Sequence, residues 1–478
     1  MLFQRCKLLE EPAKLHQTTA RLGTDSLGKL IVRLSLPSIT SMVAVSLYNL
    51  VNTFWVARLG YQAVAAVTVI MPFYVFCIAI GVGTGIGINA LASRRFGEGN
   101  VAAANQTAGQ SFFLSLVIGV VFLLATNLFP RQIVVLCGAT PDIIDLGAQY
   151  LTMLGRGLPL FFFSLISRNV FHASGDTVRP MMFTILAQVC NAVLDPFLIF
   201  GLWIFPEMGI AGAALGTVIS SNLGALLALG FILGRKTAYR IRLRHCRPDL
   251  KTLKSIYQVG LPSMVIEITE SLVISLFNHI AAGFGSIVLA ALGIAMRIFD
   301  LAFMPVIGTS HGLLPIVGFS FGARQWDRLW KAVRLSCLWL AAFMALLTVF
   351  VEIFTRQILG FFNPDPALIE IAVPGMRIAY STFVFVGPAV AFITTFQGLS
   401  KGKVAMLLSF TRQLVFFVPG LFLLTRLMGL TGMWISLPVS DVLGALTAGL
   451  WIYREYRQQK KAGVHPEKTG AKSVAPAE

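Results

Sequence analysis

Apolar residues in this chain come in runs of about twenty instead of alternating patterns. A run of that length is what an α-helix needs to cross roughly 30 Å of hydrocarbon. Twelve runs are centred near Ala44, Val75, Leu116, Leu160, Asn191, Gly224, Ile268, Leu301, Ala341, Val386, Val415 and Leu443. In lipid every backbone N–H and C=O must be satisfied within the segment, so these runs read as helices. The chain is therefore read as an all-α integral membrane protein, in keeping with 56% hydrophobic and only 12% charged residues.

The chain also repeats itself. Leu34 to Gly97 aligns without a gap on Val259 to Gly322 at a constant offset of 225 residues, with fifteen of 64 positions identical. The shared positions include Pro37 with Pro262, Gly60 with Gly285, Gly83 with Gly308 and Gly97 with Gly322. Phe171 and Phe396 keep the offset, and after a five-residue contraction Gly212 pairs with Gly432 and Gly224 with Gly444. The expected organisation is a segment 1–27, a first half 28–234, a basic connector 235–254, a second half 255–455 and a polar tail 456–478, each half with six helices. Two long homologous hydrophobic halves are a common plan for secondary transporters, whose substrate site lies between the halves.

A net charge of +17 raises the question of nucleic acid, but its placement answers otherwise. The connector carries Arg235, Lys236, Arg240, Arg242, Arg244, Arg247, Lys251 and Lys254 against Asp249. Arg94, Arg95, Arg168, Arg179, Arg324, Arg328, Lys401 and Lys403 add to the even-numbered connectors. This is a positive-inside pattern, so both termini are expected in the cytoplasm of a multi-pass protein of the plasma (inner) membrane, with lipid and no nucleic acid as partner. The chain is expected to act as a monomer. Residues 1–27 have no apolar core of signal-peptide type, so the first helix is expected to anchor the chain. The six cysteines form no metal-ligand spacing and read as packing residues.

The glycines 81, 83, 85 and 87 miss the spacing of a phosphate loop and fit close helix packing through small-xxx-small pairs. Gly398 to Lys403 falls one residue short of a Walker A loop, so no ATP site is read and no cofactor is expected. No HExxH or GxSxG is present, which argues against an enzyme. His279 and His311, in apolar runs, read as hydrogen-bonded structural residues.

Intramembrane carboxylates are costly and usually mark ion or substrate routes. Asp195 stands four residues after Asn191, so a helix places both on one face, and Pro196 follows. Away from water the charged form of a carboxylate is disfavoured, which suits it to proton exchange. Glu267 and Glu270 share a face of the seventh helix, Glu270 being nearer the middle. Asp300 has Arg297 three residues before it, a spacing that predicts an ion pair, while Arg412 and Asp441 are pairing candidates in the last two helices. Pro37 and Pro262 each remove a backbone hydrogen bond, so a bend is expected at both. Tyr48, Asn49 and Asn52 give the first helix a polar face.

The segments LPSITSMVAVSLYNLVNTFWVARLGYQAVAAV, SRRFGEGN, NAVLDPFLIF and PIVGFSFGA resemble the multidrug and toxic compound extrusion family, in its archaeal and bacterial branch related to DNA-damage-inducible protein F. The resemblance covers about residues 30 to 455. It implies two six-helix bundles around a central cleft, exporting organic cations or other amphipathic compounds for inward H+ or Na+. It also implies a first-lobe ion site at Tyr48, Asn191 and Asp195 beside a bending Pro37. The family's first-helix aspartate is replaced by Asn52. An amide exchanges no proton, so coupling in this lobe falls on Asp195 alone, or the lobe binds Na+ weakly or not at all. Glu270 resembles the seventh-helix glutamate of the sodium-linked and plant branches, whose tenth-helix aspartate is missing near Val386. The readings to separate are antiporter, lipid-linked oligosaccharide flippase of the same superfamily, and non-transporting receptor or enzyme.

Overall fold

The twelve apolar runs become twelve crossings. A computed structural model describes residues 19–234, 237–362 and 366–461. In the first half the helices are α1 (Leu27–Ala57), α2 (Tyr61–Gly97), α3 (Val101–Leu128), a short α4 (Pro130–Leu136), α5 (Ile144–Arg156), α6 (Leu158–Ala173), α7 (Val178–Phe200) and α8 (Ile210–Leu233). In the second they are α9 (Leu250–Ala282), α10 (Ser286–Gly322), α11 (Trp326–Phe362), α12 (Pro366–Tyr380), α13 (Phe383–Gly398), α14 (Gly402–Phe410) and α15 (Val418–Lys461). A π-helical stretch, Thr411–Phe417, joins α14 to α15.

Two crossings are bent pairs, α5 with α6 at 57° and α12 with α13 at 46°. The continuous stretch Gly402–Lys461 has 60 residues. That is about 90 Å of helix at 1.5 Å per residue, far more than one bilayer requires. It divides at Gly429, where φ 61° and ψ −136° are open only to glycine at low cost, and so supplies two crossings. Arg235, Lys236, Cys6 and most of the tail 456–478 lie outside the described residues.

The basic connector is pinned to α3 instead of hanging free. Gln110 donates to the carbonyls of His245 at 2.9 Å and Arg247 at 2.8 Å, and its own carbonyl accepts from the Asp249 N–H at 3.2 Å. Asn105 accepts from the Arg240 N–H at 2.9 Å. Asp249 then caps α9, accepting from the N–H groups of Lys251 and Thr252.

The halves meet along a seam that obeys the sequence repeat. A Cβ on Gly83 would lie 2.8 Å from the Met264 backbone N, and on Gly308, 225 residues on, 2.9 Å from the Ile39 N. For Gly87 and Gly312 the partners are Gly260 N at 3.1 Å and Ser35 N at 3.2 Å, and for Gly97 and Gly322 they are Ala323 N at 2.8 Å and Glu98 N at 3.0 Å. Each partner pair carries the same offset as the glycines, so the seam has pseudo-twofold symmetry. Only residues without side chains allow backbones this close. Gly81 and Gly85 use the other face of α2, against Leu165 and Asn169 of α6. The expected packing role of the glycine run therefore holds, with one small-xxx-small pair for each neighbour.

Candidate functional site

Asp195 is fully buried in α7, at the centre of a polar cluster drawn from three helices. Asn52 of α1 uses both amide hydrogens. One goes to Asp195 Oδ2 at 3.0 Å and one to Tyr48 Oη at 2.9 Å. Tyr48 Oη lies 3.2 Å from Thr217 Oγ1 of α8, and Thr217 donates to the Ala213 carbonyl at 3.1 Å. With its hydrogen committed, Thr217 accepts from Tyr48 and, at 3.4 Å, from Asn191 Nδ2. The bonds therefore run in one direction, from Asn52 through Tyr48 to Thr217. Asp195 Oδ1 and Asn191 Oδ1 are both buried and have no hydrogen-bond partner. Both flank Gly216, where a Cβ would collide with Asp195 Oδ1 and sit 3.1 Å from Asn191 Oδ1.

The residues expected together from helical spacing, Tyr48 with Asn52 and Asn191 with Asp195, are together. Asn49 is not with them; it is exposed on the far side of α1. Thr217 and Gly216 escaped the sequence reading, although the polar side chains of Thr217, Ser220 and Ser221 in an otherwise apolar run were the available signal.

Pro37 lies inside α1, fifteen residues before Asn52, between the seam residues Ser35 and Ile39. Lacking an N–H, it leaves the Arg33 carbonyl without its helical donor. Thr177, in the α6–α7 connection, supplies one in its place at 3.5 Å.

The second half holds a cavity of about 280 Å3 lined by Glu270, Asp300, Arg412, Asp441 and several aromatic rings. Arg412 Nη1 and Asp441 Oδ1 pair at 2.9 Å, as the sequence allowed. The ion pair expected between Arg297 and Asp300 does not form, and neither has an ion-pair partner among the described residues. Both are exposed, Asp300 toward the cavity. A three-residue spacing permits contact without compelling it. Glu267, a turn before Glu270, does not line this cavity. His279 is exposed. His311 packs on His172 of the other half, ring centroids 5.2 Å apart, in place of the expected hydrogen bond.

The MatE family model matches residues 37–197 and 262–423. The multidrug export protein MepA of Staphylococcus saprophyticus is 24% identical over 430 residues, covering 90% of this chain and 94% of that protein. MepA of Staphylococcus aureus gives 24% over 428 residues, 89% of this chain and 93% of its own. Among solved structures, a MATE crystallised in a bent conformation superposes with a TM-score of 0.88 at 26% identity, covering 94% of this chain and 99% of that one. A MOP superfamily transporter from Pyrococcus furiosus, described as having a binding pocket of reverse polarity, superposes at 0.86 with 26% identity over 92% of this chain and 98% of its own.

Proposed function

Because the chain belongs to the MatE family, we propose that it exports amphipathic, cationic small molecules by alternating access in exchange for H+, with Asp195 as the residue that carries the coupling proton. The single observation behind this reading is the buried Asp195, hydrogen-bonded on one oxygen and free on the other, in a helix that packs on the proline-containing α1.

Asn52 fills the place where the family resemblance implies an acid, and it turns its amide nitrogen toward Asp195. That geometry favours a proton over Na+, which seeks oxygen ligands. A proton arriving on Oδ1 finds Asn191 Oδ1 beside it as an acceptor. Neutralising Asp195 weakens the charge-assisted bond from Asn52, which is one of the ties holding α1 to α7. The helix is then free to bend at Pro37, where its own hydrogen bonding is already interrupted, and to shift the seam that Ser35 and Ile39 line. The seam closes at the end rich in Arg94, Arg95 and Arg324, which the positive-inside rule assigns to the cytoplasm together with both termini. The arrangement is then an outward-open state.

Glu270 and Glu267 stay outside this coupling step, since neither has a hydrogen-bonded frame like that of Asp195. The export named for the MepA relatives supports the transport direction. A lipid-linked oligosaccharide flippase is not favoured. It calls for basic groups facing a phosphate, whereas the free charges lining the second-half cavity are carboxylates.

The test is export of a fluorescent organic cation from proteoliposomes under an imposed pH gradient or an imposed Na+ gradient. Wild type should respond to the pH gradient and Asp195→Asn should fall to the level of protein-free liposomes. Wild-type export by the variant, or a response to Na+ alone, overturns the proposal.

A further inference from the structure

The cavity of the second half is walled by rings. Phe299 stacks on Phe303 with centroids 5.3 Å apart and meets Phe383 edge-on at 5.3 Å, while Tyr380 lies 4.3 Å from Phe383. Phe277 makes edge contacts with Phe417 at 5.5 Å and with Trp434 at 6.5 Å. All seven side chains line the same space. Such rings present negative faces and are the usual surroundings of a quaternary ammonium group.

The charges in the cavity have the complementary sign. Glu270, Asp300 and Asp441 face a single guanidinium, that of Arg412, which is committed to Asp441 at 2.9 Å. Glu270 and Asp300 have neither an ion pair nor a hydrogen bond among the described residues, so two negative charges are left uncompensated. Two polar atoms are also left over. Gln413 is 4% exposed and Trp434 2%, yet Gln413 Oε1 and Trp434 Nε1 have no partner, and both residues line the cavity. Buried polar groups without partners are uncommon in a finished structure. Arg412, Gln413 and Phe417 all sit on the π-helical stretch, a geometry that recurs at functional sites.

We propose that this cavity is the binding site for the exported organic cation. Its charge lies against Glu270 and Asp300 and its apolar body among the rings, with Gln413 Oε1 accepting an N–H and Trp434 Nε1–H donating to an oxygen where the substrate carries them. A cavity of about 280 Å3 is near the lower bound of small-molecule sites, and its wall of rings offers few of the oxygens that a bare metal cation requires. The fitting ligand is a compact aromatic monocation. The proposal rests on the export reading for its substrate class, but binding here needs no gradient and no coupling residue.

The experiment is isothermal titration of the full-length detergent-solubilised protein with benzyltrimethylammonium and, separately, with its neutral isostere neopentylbenzene. The cation should bind at least about tenfold more tightly than the isostere. Glu270→Gln and Asp300→Asn should each weaken it about tenfold while the thermal midpoint stays at the wild-type value, and Asp195→Asn should bind like wild type. Equal affinity for the two probes overturns the proposal, as do unchanged affinities in both carboxylate variants or loss of binding only in Asp195→Asn. Where the cation binds as described but wild type shows no gradient-driven export, the transport reading fails and this site stands.

Discussion

The two lobes use equivalent faces of equivalent helices for different chemistry. On α1 the face carries Tyr48 and Asn52, which tie into the hydrogen-bonded cluster around Asp195. Their repeat partners on α9 are Val273 and Phe277, which line the aromatic cavity. A polar, closely bonded site stands in one lobe and a roomy, ring-lined one in the other, while the glycine seam between them keeps the same contacts on both sides. Duplication preserved what both lobes must do together and released what each does alone. It also separates the tasks of holding a proton and holding a large cation, which make opposite demands on packing.

The comparison can be broken most severely at the ionic groups. Arg412→Met strands Asp441, 6% exposed, without its partner, and should cost about 3–5 kcal/mol of stability. Asp195→Asn removes a charge that no cation compensates and should leave the thermal midpoint near wild type. A larger loss in Asp195→Asn than in Arg412→Met, read by thermal unfolding in detergent, would show that the lobes are not divided in this way. Next come the seam glycines. Gly97→Ala and Gly322→Ala press a methyl against the backbones of Phe319 and Arg94 respectively, and each should destabilise the closed seam by about 1–3 kcal/mol. The symmetry requires the two to be equal, which cross-linking of cysteine pairs placed across the seam would measure.

Thr217→Val keeps the shape but withdraws the acceptor shared by Tyr48 and Asn191, and should weaken the cluster by about 1 kcal/mol. Its counterpart at Leu437 of the other lobe, changed to Val, should leave proton-driven export unaltered, since no such network exists there; a slowdown at Leu437 would argue that both lobes handle the proton. The smallest effect lies outside the membrane. Thr252 holds the Asp249 carboxyl below its ordinary value by donating its hydroxyl, with the Lys251 and Thr252 N–H groups adding to this against a modest cost of burial. The stabilisation is complete above the unfolded value of about 3.9 and disappears as pH falls through the lower folded value. Asp249→Ala should therefore cost about 1 kcal/mol at neutral pH, with the gap to wild type closing below about pH 4 in an acid titration of the thermal midpoint.

What the chain disclosed in advance follows from range. Helical spans, the offset of 225 residues and the pairing of Asn191 with Asp195 or Tyr48 with Asn52 are local or periodic, and composition and spacing carry them. Thr217 lies 169 residues from Tyr48, and no spacing rule joins them. Asp300 misled for the opposite reason. A helical neighbour of opposite sign stood three residues away, but rotation of α10 against the packed lobe turned the carboxylate toward the cavity. The cavity itself was not legible, because its rings and charges come from α9, α10, α12, α13, the π-helical stretch and α15, and only packing brings them to one place.

The seam has the form of a homodimer interface. Position i of one half meets j of the other while j meets i, which is how two identical subunits associate about a twofold axis. A half-length ancestor with these glycines would have had a surface already complementary to its own copy, so fusing two genes would have joined partners that were paired beforehand. Once they were tied in one chain, each copy could mutate away from the face of α1 or α9 without forfeiting the contact that held it to its twin.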